Sequence, residues 1–367
     1  MGTSSAQQAD KPGPPGGITD DTVRLAGPEQ RGPGLKMVTP MELRWIDDTG
    51  MRQCDVAELN ELRSRTDGFL WLDIPEWSDK AERVLADDFG FHPIAIANSR
   101  ERNHVPRVHV YSDHVFIVIH APEIGAAGHV HYLELDQFIG EHFLVTVHGP
   151  LNPRVPLEAA LRETRSVVSR MDAGRLHPTS PFGLTYAIVS AIVRKDSTLV
   201  ADIAREVGLL EQRVMEGAEE EPQTFLTHLF TARHELLTIK TMAAQGGQIY
   251  DRAIKLASFA PPDGLSLMRD LLDQYERVTS ISQSQLDFLM GVTEFYRART
   301  DTKMTIAAER LAVIAAITLP ITSLSSVVGM NVIVNDETHW AWLSILLLIM
   351  LIMSLLLLRW AHKQGWW

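Results

Sequence analysis

Side chains with neutral oxygen atoms recur along one predicted helical face near the C-terminus of this chain. The face repeats every three to four residues, a spacing that places side chains on one side of an α-helix. It comprises Thr305, Ala308, Ala312, Ala315, Leu319, Thr322 and Ser326, with Leu311 beside it. Such a face can line a polar path that narrows at an apolar constriction near Leu311 and Leu319. Small side chains also let helices pack closely, and both interpretations remain open.

Two uncharged apolar segments predict that the chain crosses a membrane twice. Residues 311–328 and 341–358 each contain 18 residues without a charge, near the minimum for a transmembrane helix. The second is mainly Leu, Ile and Met, as expected against lipid, whereas the first is rich in Ala, Ser and Thr. With their flanking residues, these segments predict a membrane domain over 304–367. It comprises a first span over about 306–328, an outer loop over 329–340 and a second span over about 341–360.

Basic residues lie just outside the two spans and not between them. Arg310 precedes the first uncharged run and Arg359 follows the second, and no Lys or Arg lies between Leu311 and Leu358. The positive-inside rule therefore predicts a multi-pass protein of the cell (inner or plasma) membrane with both termini in the cytoplasm. On composition alone, the spans fit a hairpin anchor for a soluble domain equally well.

The N-terminal part of the chain is predicted to form a tail and an α/β domain. Residues 1–35 are rich in Pro and Gly and are expected to be a disordered cytoplasmic tail. Residues 36–150 are expected to be a cytoplasmic α/β domain, in which β-branched and aromatic runs predict strands. The predicted strands are 68–75, 107–123 and 137–149, and a helix over 78–90 is predicted to start at Ser78 and end at Gly90.

Residues 151–303 are predicted to form a helical stalk region of long helices. Helices are predicted over 184–216, 225–257 and 265–303, with Pro222 and Pro261–Pro262 as separators. The third enters the first span without a turn signal, so one continuous helix is predicted over about 265–328. At 1.5 Å per residue this helix would be about 95 Å long, far more than a bilayer's apolar core.

The overall composition excludes several classes of protein. A net charge of −12 argues against a protein that binds nucleic acid through its phosphates. A single cysteine excludes a disulfide framework, and no phosphate-binding GxxxxGK[ST] motif is present. The sequence therefore predicts neither a nucleic-acid partner nor an enzyme.

Gly329-Met330-Asn331 directly follows the first span, twenty-odd residues before the chain's last span ends. In this context the chain resembles the CorA family of divalent-cation (magnesium) transporters, the GMN type within the 2-TM-GxN superfamily. Pro320 matches a mid-span proline of that family, and MRDLLDQ (268–274) matches its stalk segment. The stretch 92–120 resembles the family's amino-terminal HP…RPK…YVFIV pattern, so the resemblance covers roughly residues 60–367.

The resemblance implies an α+β membrane protein that assembles as a homopentameric funnel around one pore. It implies potential-driven uptake of Mg²⁺, with Co²⁺ or Ni²⁺, and no organic cofactor. Mg²⁺ holds its water tightly, and the Asn331 amide is expected to bind hydrated cation at the pore mouth, placed by a turn at Gly329 with Met330 packed behind. The resemblance also places Thr305, Ala308, Leu311, Leu319, Thr322 and Ser326 towards the pore.

Two departures from the family pattern concern selectivity and regulation. The outer loop lacks the family's Tyr and MPEL residues, although Asp336 and Glu337 could form acidic rings or a solvated turn. By resemblance, Asp270 and Asp273 match the stalk side of a regulatory Mg²⁺ site. The domain side of that site falls at Asn98, whose amide coordinates more weakly than a carboxylate.

Zinc transport and a non-transporting membrane scaffold or sensor are the alternatives. Nine of the 14 histidines fall within 92–148, among them His129 and His131, and imidazole suits Zn²⁺. Several of them alternate along predicted strands without a close Cys or HxxxH partner, so structural histidines are the preferred interpretation.

Overall fold

A seven-stranded sheet lies at the centre of the domain that precedes the long helices. The computed structural model describes residues 39–125, 128–150, 152–216, 222–331 and 340–363. The strands are β1 (Glu42–Asp47), β2 (Gly50–Cys54), β3 (Phe69–Ile74), β4 (Arg107–Val110), β5 (His114–Ile124), β6 (Val130–Gly140) and β7 (Phe143–His148). Their order is β2-β1-β3-β7-β6-β5-β4, and β3 and β7 pair in parallel while the other neighbours are antiparallel.

Helices cover both faces of this sheet because apolar side chains alternate between the two faces. The helices are α1 (Leu59–Arg63), α2 (Asp79–Arg83), α3 (Pro93–Arg100), α4 (Leu157–Ala160), α5 (Arg162–Asp172), α6 (Pro181–Glu216), α7 (Pro222–Leu256), α8 (Pro262–Asn331) and α9 (Trp340–Lys363). On β5, Phe116 and Val118 pack with α1, α2 and α3. Val115 and Ile117, on the opposite face, belong to the core formed with α5, α6 and α7.

The predicted strand over 68–75 is confirmed by β3, whereas the other two strand predictions are wrong in their bounds. The run 107–123 is divided between β4 and β5 by a tight turn, in which the Tyr111 N–H donates to the His114 carbonyl at 2.9 Å. The run 137–149 is likewise broken between β6 and β7 by a hairpin. Continuous apolar runs hid both turns, and β1 and β2 were missed.

The predicted ends of the 78–90 helix are confirmed. The Ser78 hydroxyl accepts a hydrogen bond from the Ala81 N–H at 3.2 Å, and Gly90 has a φ of +69°. Between them, α2 continues into a wide turn over Val84–Asp88.

The three long helices are confirmed, but each begins three residues earlier than predicted. They start at Pro181, Pro222 and Pro262. Proline is favoured in the first turn of a helix, so it can begin a helix as well as separate two of them. α7 runs antiparallel to α8: Phe225 near its start stacks on Tyr296, while Tyr250 near its end stacks on Tyr275.

The first predicted span continues without a break from the stalk, as expected, but the helix ends later than predicted. α8 extends through Asn331, so Gly329, Met330 and Asn331 form its last turn and do not form a turn outside it. Glycine weakens a helix by about 1 kcal/mol without breaking it, which explains the difference. The tail 1–35 and the acidic residues Asp336 and Glu337 lie outside the described residues.

Close packing at Gly246 lets α7 approach α8. A Cβ atom at this position would lie 2.7 Å from Cε1 of Tyr275, whose side chain is fully buried. Gly246 therefore serves the packing of the two helices, because its missing side chain makes room for an aromatic ring.

We predict that Gly246→Ala lowers the free energy of unfolding by about 1–3 kcal/mol, because the buried Tyr275 ring has to move. Gly208→Ala is the matched control, since nothing lies within 4 Å of that position in α6. It is expected to stabilise the helix by about 1 kcal/mol. Denaturant unfolding of the detergent-solubilised protein measures both, and equal effects of the two variants would contradict the packing argument.

Candidate functional site

The C-terminal part of α8 presents an apolar surface that a single chain leaves uncovered. Among the described residues, the helical stretch Pro262–Ser326 is long and apolar enough, by length and composition, to cross a bilayer. Leu311 and Leu319 expose 66% and 67% of their surface. Apolar groups in such numbers are stable only against lipid or another apolar surface.

The two sides of this stretch have different surroundings. The half-buried residues of this stretch lie on one side of the helix, which we assign as the side that packs towards α9, since α8 and α9 are in contact. They are Val313, Ile317, Pro320, Ile321 and Leu324. At 100° per residue, the path residues predicted from the sequence lie on the opposite side of the helix. All of them are exposed: Thr305, Ala308, Leu311, Ala312, Ala315, Leu319, Thr322 and Ser326.

Two hydroxyl groups on the exposed side direct their hydrogen atoms into the helix. Thr305 Oγ1 donates to the Asp301 carbonyl at 2.9 Å, and Thr322 Oγ1 donates to the Thr318 carbonyl at 2.8 Å. Each hydroxyl therefore keeps its oxygen lone pairs as acceptors. Acceptors of this kind suit the water molecules around a cation, which donate hydrogen bonds outward.

The last turn of α8 carries the Gly-Met-Asn sequence. The final four carbonyl groups of a helix have no intrahelical partner, and the helix dipole places partial negative charge there. The helix end at Asn331 is thus a region that favours cations through its backbone alone. The structure describes only the backbone of these three residues.

The three predicted regulatory residues lie on two elements. Asp270 is exposed on α8, and its Oδ2 accepts hydrogen bonds from the Tyr186 hydroxyl at 2.6 Å and from Gln274 Nε2 at 2.8 Å. Asp273 is exposed less than one turn further along. Asn98 lies on α3, where its Oδ1 accepts from Arg107, and it shares no hydrogen-bond partner with Asp270. Within the described part of the chain, no hydrogen bond joins Asn98 to either aspartate.

The histidines do not assemble into a zinc site within the part of the chain that the structure describes. The rings of His129 and His131 meet edge to face with their centroids 4.7 Å apart, and His131 Nδ1 lies 3.1 Å from Asn152 Nδ2. No group of three or more His, Cys, Asp or Glu side chains in the described ranges is arranged to hold a metal ion.

A buried acidic pair on β6 was missed by the sequence analysis. The Glu134 carboxylate accepts from the backbone N–H of Asn103 at 2.8 Å and from its Nδ2 at 2.7 Å. Asp136, two residues along on the same face, is fully buried, and neither of its oxygens has a hydrogen-bond partner among the described residues. Burial and the neighbouring Glu134 charge raise the pKa of Asp136 well above its ordinary value, although nearby Ser99 opposes the shift. The sequence signal for this pair was the presence of two acidic residues, two positions apart, in an otherwise apolar strand.

Comparison with known proteins finds a family and relatives that match most of the chain. Residues 66–363 match the family model described as CorA-like Mg²⁺ transporter protein. Over 304 residues the chain is 25% identical to YfjQ of Bacillus subtilis (strain 168). The alignment covers 81% of this chain and 89% of YfjQ. Over 295 residues it is 22% identical to the cobalt/magnesium transport protein CorA of Thermotoga maritima, with coverage of 79% and 80%.

Solved structures share this fold at low sequence identity. The CorA magnesium transporter from Methanocaldococcus jannaschii aligns with a TM-score of 0.71 and 16% identity, covering 90% of this chain and all of that one. The cytoplasmic domain of ZntB from Vibrio parahaemolyticus aligns with a TM-score of 0.55 and 12% identity, covering 71% of this chain and 98% of the domain. At these identities the likeness shows the fold alone.

The buried Asp136 predicts that the protein loses stability as the pH rises. Because its pKa is raised on folding, the folded state binds the proton more tightly, and stability falls from the ordinary pKa upward by as much as about 1.4 kcal/mol per pH unit. We expect Asp136→Asn to flatten this dependence in thermal unfolding between pH 5 and 9. Asp48→Asn, which changes an exposed carboxylate, is the control. The same pH slope in the wild type and in Asp136→Asn between pH 5 and 9 would contradict the assignment.

Proposed function

The chain belongs to the CorA-like Mg²⁺ transporter family, an integral membrane family of divalent metal transporters, and from that membership we propose that it takes up Mg²⁺ into the cytoplasm. The membrane potential drives the ion inward. A divalent cation that crosses 100 mV gains about 4.6 kcal/mol, twice the value for a single charge. This accords with the absence of a phosphate-binding loop from the sequence.

The observation that carries this proposal is the exposed, hydroxyl-bearing side of α8 opposite the side that packs towards α9. One helix cannot enclose a path, so the proposal requires several copies around a common axis, five by family resemblance. The stalk part of α8 supports self-association: Ile281, Phe288 and Phe295 are exposed at intervals of seven residues. A seven-residue apolar repeat is typical of helices that pack along one another.

The proposed topology has two spans, α8 from about residue 306 and α9, with both termini and the α/β domain in the cytoplasm of a cell-membrane protein. The exposed Leu and Ile side chains of α9 suit contact with lipid acyl chains. Arg359, after the apolar part of α9, and Arg310, at the inner end of the first span, support this orientation through the positive-inside rule.

In the proposed mechanism the ion moves in hydrated form. The Asn331 amides, with the helix-end carbonyls, accept hydrogen bonds from water on the ion at the outer mouth, and the hydroxyls of Thr322 and Thr305 do the same further in. Asp336 and Glu337 raise the local cation concentration. Leu311 and Leu319 form apolar constrictions that close the path when they lose water.

We further propose that cytoplasmic Mg²⁺ regulates uptake by binding at Asp270 and Asp273. Mg²⁺ prefers oxygen ligands, and both carboxylates are exposed on the stalk. Asn98 supplies a neutral oxygen where the family has an acid, so feedback is expected to be weaker than in a site built from carboxylates alone.

Zinc transport is the second candidate, favoured by the likeness to the ZntB cytoplasmic domain and by the altered outer loop. Purified protein in liposomes with an inside-negative potential separates the candidates. Mg²⁺ influx above that of Zn²⁺ supports the proposal, and Zn²⁺ influx without Mg²⁺ supports the second candidate. If intact oligomers transport none of Mg²⁺, Zn²⁺ and Co²⁺, the protein is a non-transporting scaffold or sensor.

We predict that Asn331→Ala reduces Mg²⁺ influx to the background of empty liposomes, because the ring of amide acceptors at the mouth is lost. Size-exclusion chromatography of the variant is expected to give the wild-type oligomer. Influx at the wild-type rate would remove Asn331 from the mechanism.

Leu319→Ala and Leu324→Ala form a matched pair on opposite sides of α8. Leu319 is exposed on the path side, so its truncation is expected to raise Mg²⁺ leak at least severalfold by widening the constriction. Leu324 is half-buried on the side that packs towards α9, so its truncation should lower the thermal midpoint and leave conductance per oligomer unchanged. Reversed effects would show that the path side is misassigned.

A further inference from the structure

A polar clasp joins α6 to α8 below the membrane. Tyr186 and Ser190, one turn apart on α6, face Asp270 and Gln274, one turn apart on α8. Gln274 Nε2 lies within hydrogen-bond distance of Asp270 Oδ2 (2.8 Å), Ser190 Oγ (3.1 Å) and the Tyr186 hydroxyl (3.3 Å). With the Tyr186–Asp270 bond at 2.6 Å, four side chains form one network.

The network leaves one oxygen of Asp270 available. Both hydrogen bonds to the carboxylate end on Oδ2, and no described residue donates to Oδ1. The hydrogen bonds from Tyr186 and Gln274 restrain the orientation of the carboxylate, which stays exposed to solvent. An exposed aspartate is ionised near neutral pH.

The clasp connects the sheet to the helix that enters the membrane. Its α6 side is anchored in the domain core through Leu184, Ile188 and Val189, which are fully buried. Its α8 side belongs to the helix that continues through residue 331. A change at Asp270 therefore acts on the junction between the domain and the pore helix.

We propose that Tyr186 and Gln274 are positioning residues that present Asp270 Oδ1 to hydrated Mg²⁺. This inference rests on the regulatory role of Asp270 in the proposed function. An ionised, exposed oxygen donor fits the preference of Mg²⁺ for hard ligands. Removing a group that orients a metal-binding carboxylate typically lowers the metal affinity by about 10–100-fold. For a solvent-exposed site we expect an effect near the lower limit of this range.

The test measures Mg²⁺ binding separately from transport. The thermal midpoint of the detergent-solubilised oligomer is followed as Mg²⁺ is added, and the half-maximal concentration of the shift is compared between variants. Tyr186→Phe removes the donated hydrogen bond and keeps the ring, and Gln274→Met keeps the length of the side chain. Both are expected to raise the half-maximal concentration by about tenfold.

Tyr296→Phe is the matched control, because it removes a hydroxyl from the far end of the same bundle, where Tyr296 stacks on Phe225. It is expected to keep the wild-type Mg²⁺ response. A merely structural clasp would lower the midpoint without Mg²⁺ in Tyr186→Phe and leave the half-maximal concentration unchanged, which would overturn the inference.

Asp270→Asn separates the failure of this inference from that of the proposed function. The inference is supported if Asp270→Asn loses the Mg²⁺-dependent shift of the thermal midpoint and Tyr186→Phe needs more Mg²⁺ for its half-maximal shift. This holds even if liposomes show no influx. A wild-type Mg²⁺ shift in Asp270→Asn overturns both the inference and the regulatory part of the proposal, while leaving Mg²⁺ influx as a separate result.

Discussion

The continuous helical course of α8, from the stalk into the apolar stretch, is the constraint on which the rest of the architecture depends. Within a bilayer each backbone N–H and C=O has to be satisfied inside its own segment, so a spanning helix tolerates no irregular interruption against lipid. α8 stays helical throughout this stretch, although Pro320 has no N–H to donate to the Ala316 carbonyl. It also continues into the stalk, giving 70 residues and a length of about 105 Å. A single rigid element therefore belongs both to the helical bundle and to the proposed pore.

The two ends of α8 are held by different interactions, and this difference explains how a signal could pass along it. In the stalk, α8 is fixed by buried contacts such as Tyr275 against Gly246 and by the polar clasp around Asp270. In the apolar part, only the side that packs towards α9 is half-buried within one chain. The upper part of α8 is thus largely uncovered within its own chain, whereas the lower part is packed against the domain.

Periodicity predicted the long elements and failed at the short ones, for a physical reason. A helix of thirty or more residues repeats its pattern many times, so α6, α7 and α8 were visible from spacing alone. The turn at Tyr111 is local but lies hidden in a continuous apolar run, and the burial of Asp136 depends on neighbours such as Ser99 that are distant in sequence. The hydrogen bonds of Asp270 were equally invisible, because Tyr186 lies 84 positions away along the chain. The neutral acceptors on the exposed side of α8 were visible because each residue type recurs within one helix.

The absence of charge from the proposed path itself constrains how an ion could use it. Between Leu311 and Asn331 no side chain carries a charge, so a divalent cation meets no carboxylate there that could replace water in its first hydration shell. Stripping that shell would be very unfavourable in a low-dielectric path, since Mg²⁺ dehydrates reluctantly. The small side chains at Ala308, Ala312 and Ala315 leave room for an ion that keeps its water. Hydroxyl oxygens that already donate their hydrogen to the helix then accept hydrogen bonds from the water and do not bind the metal directly. Such contacts discriminate between ions by size and hydration more than by ligand chemistry.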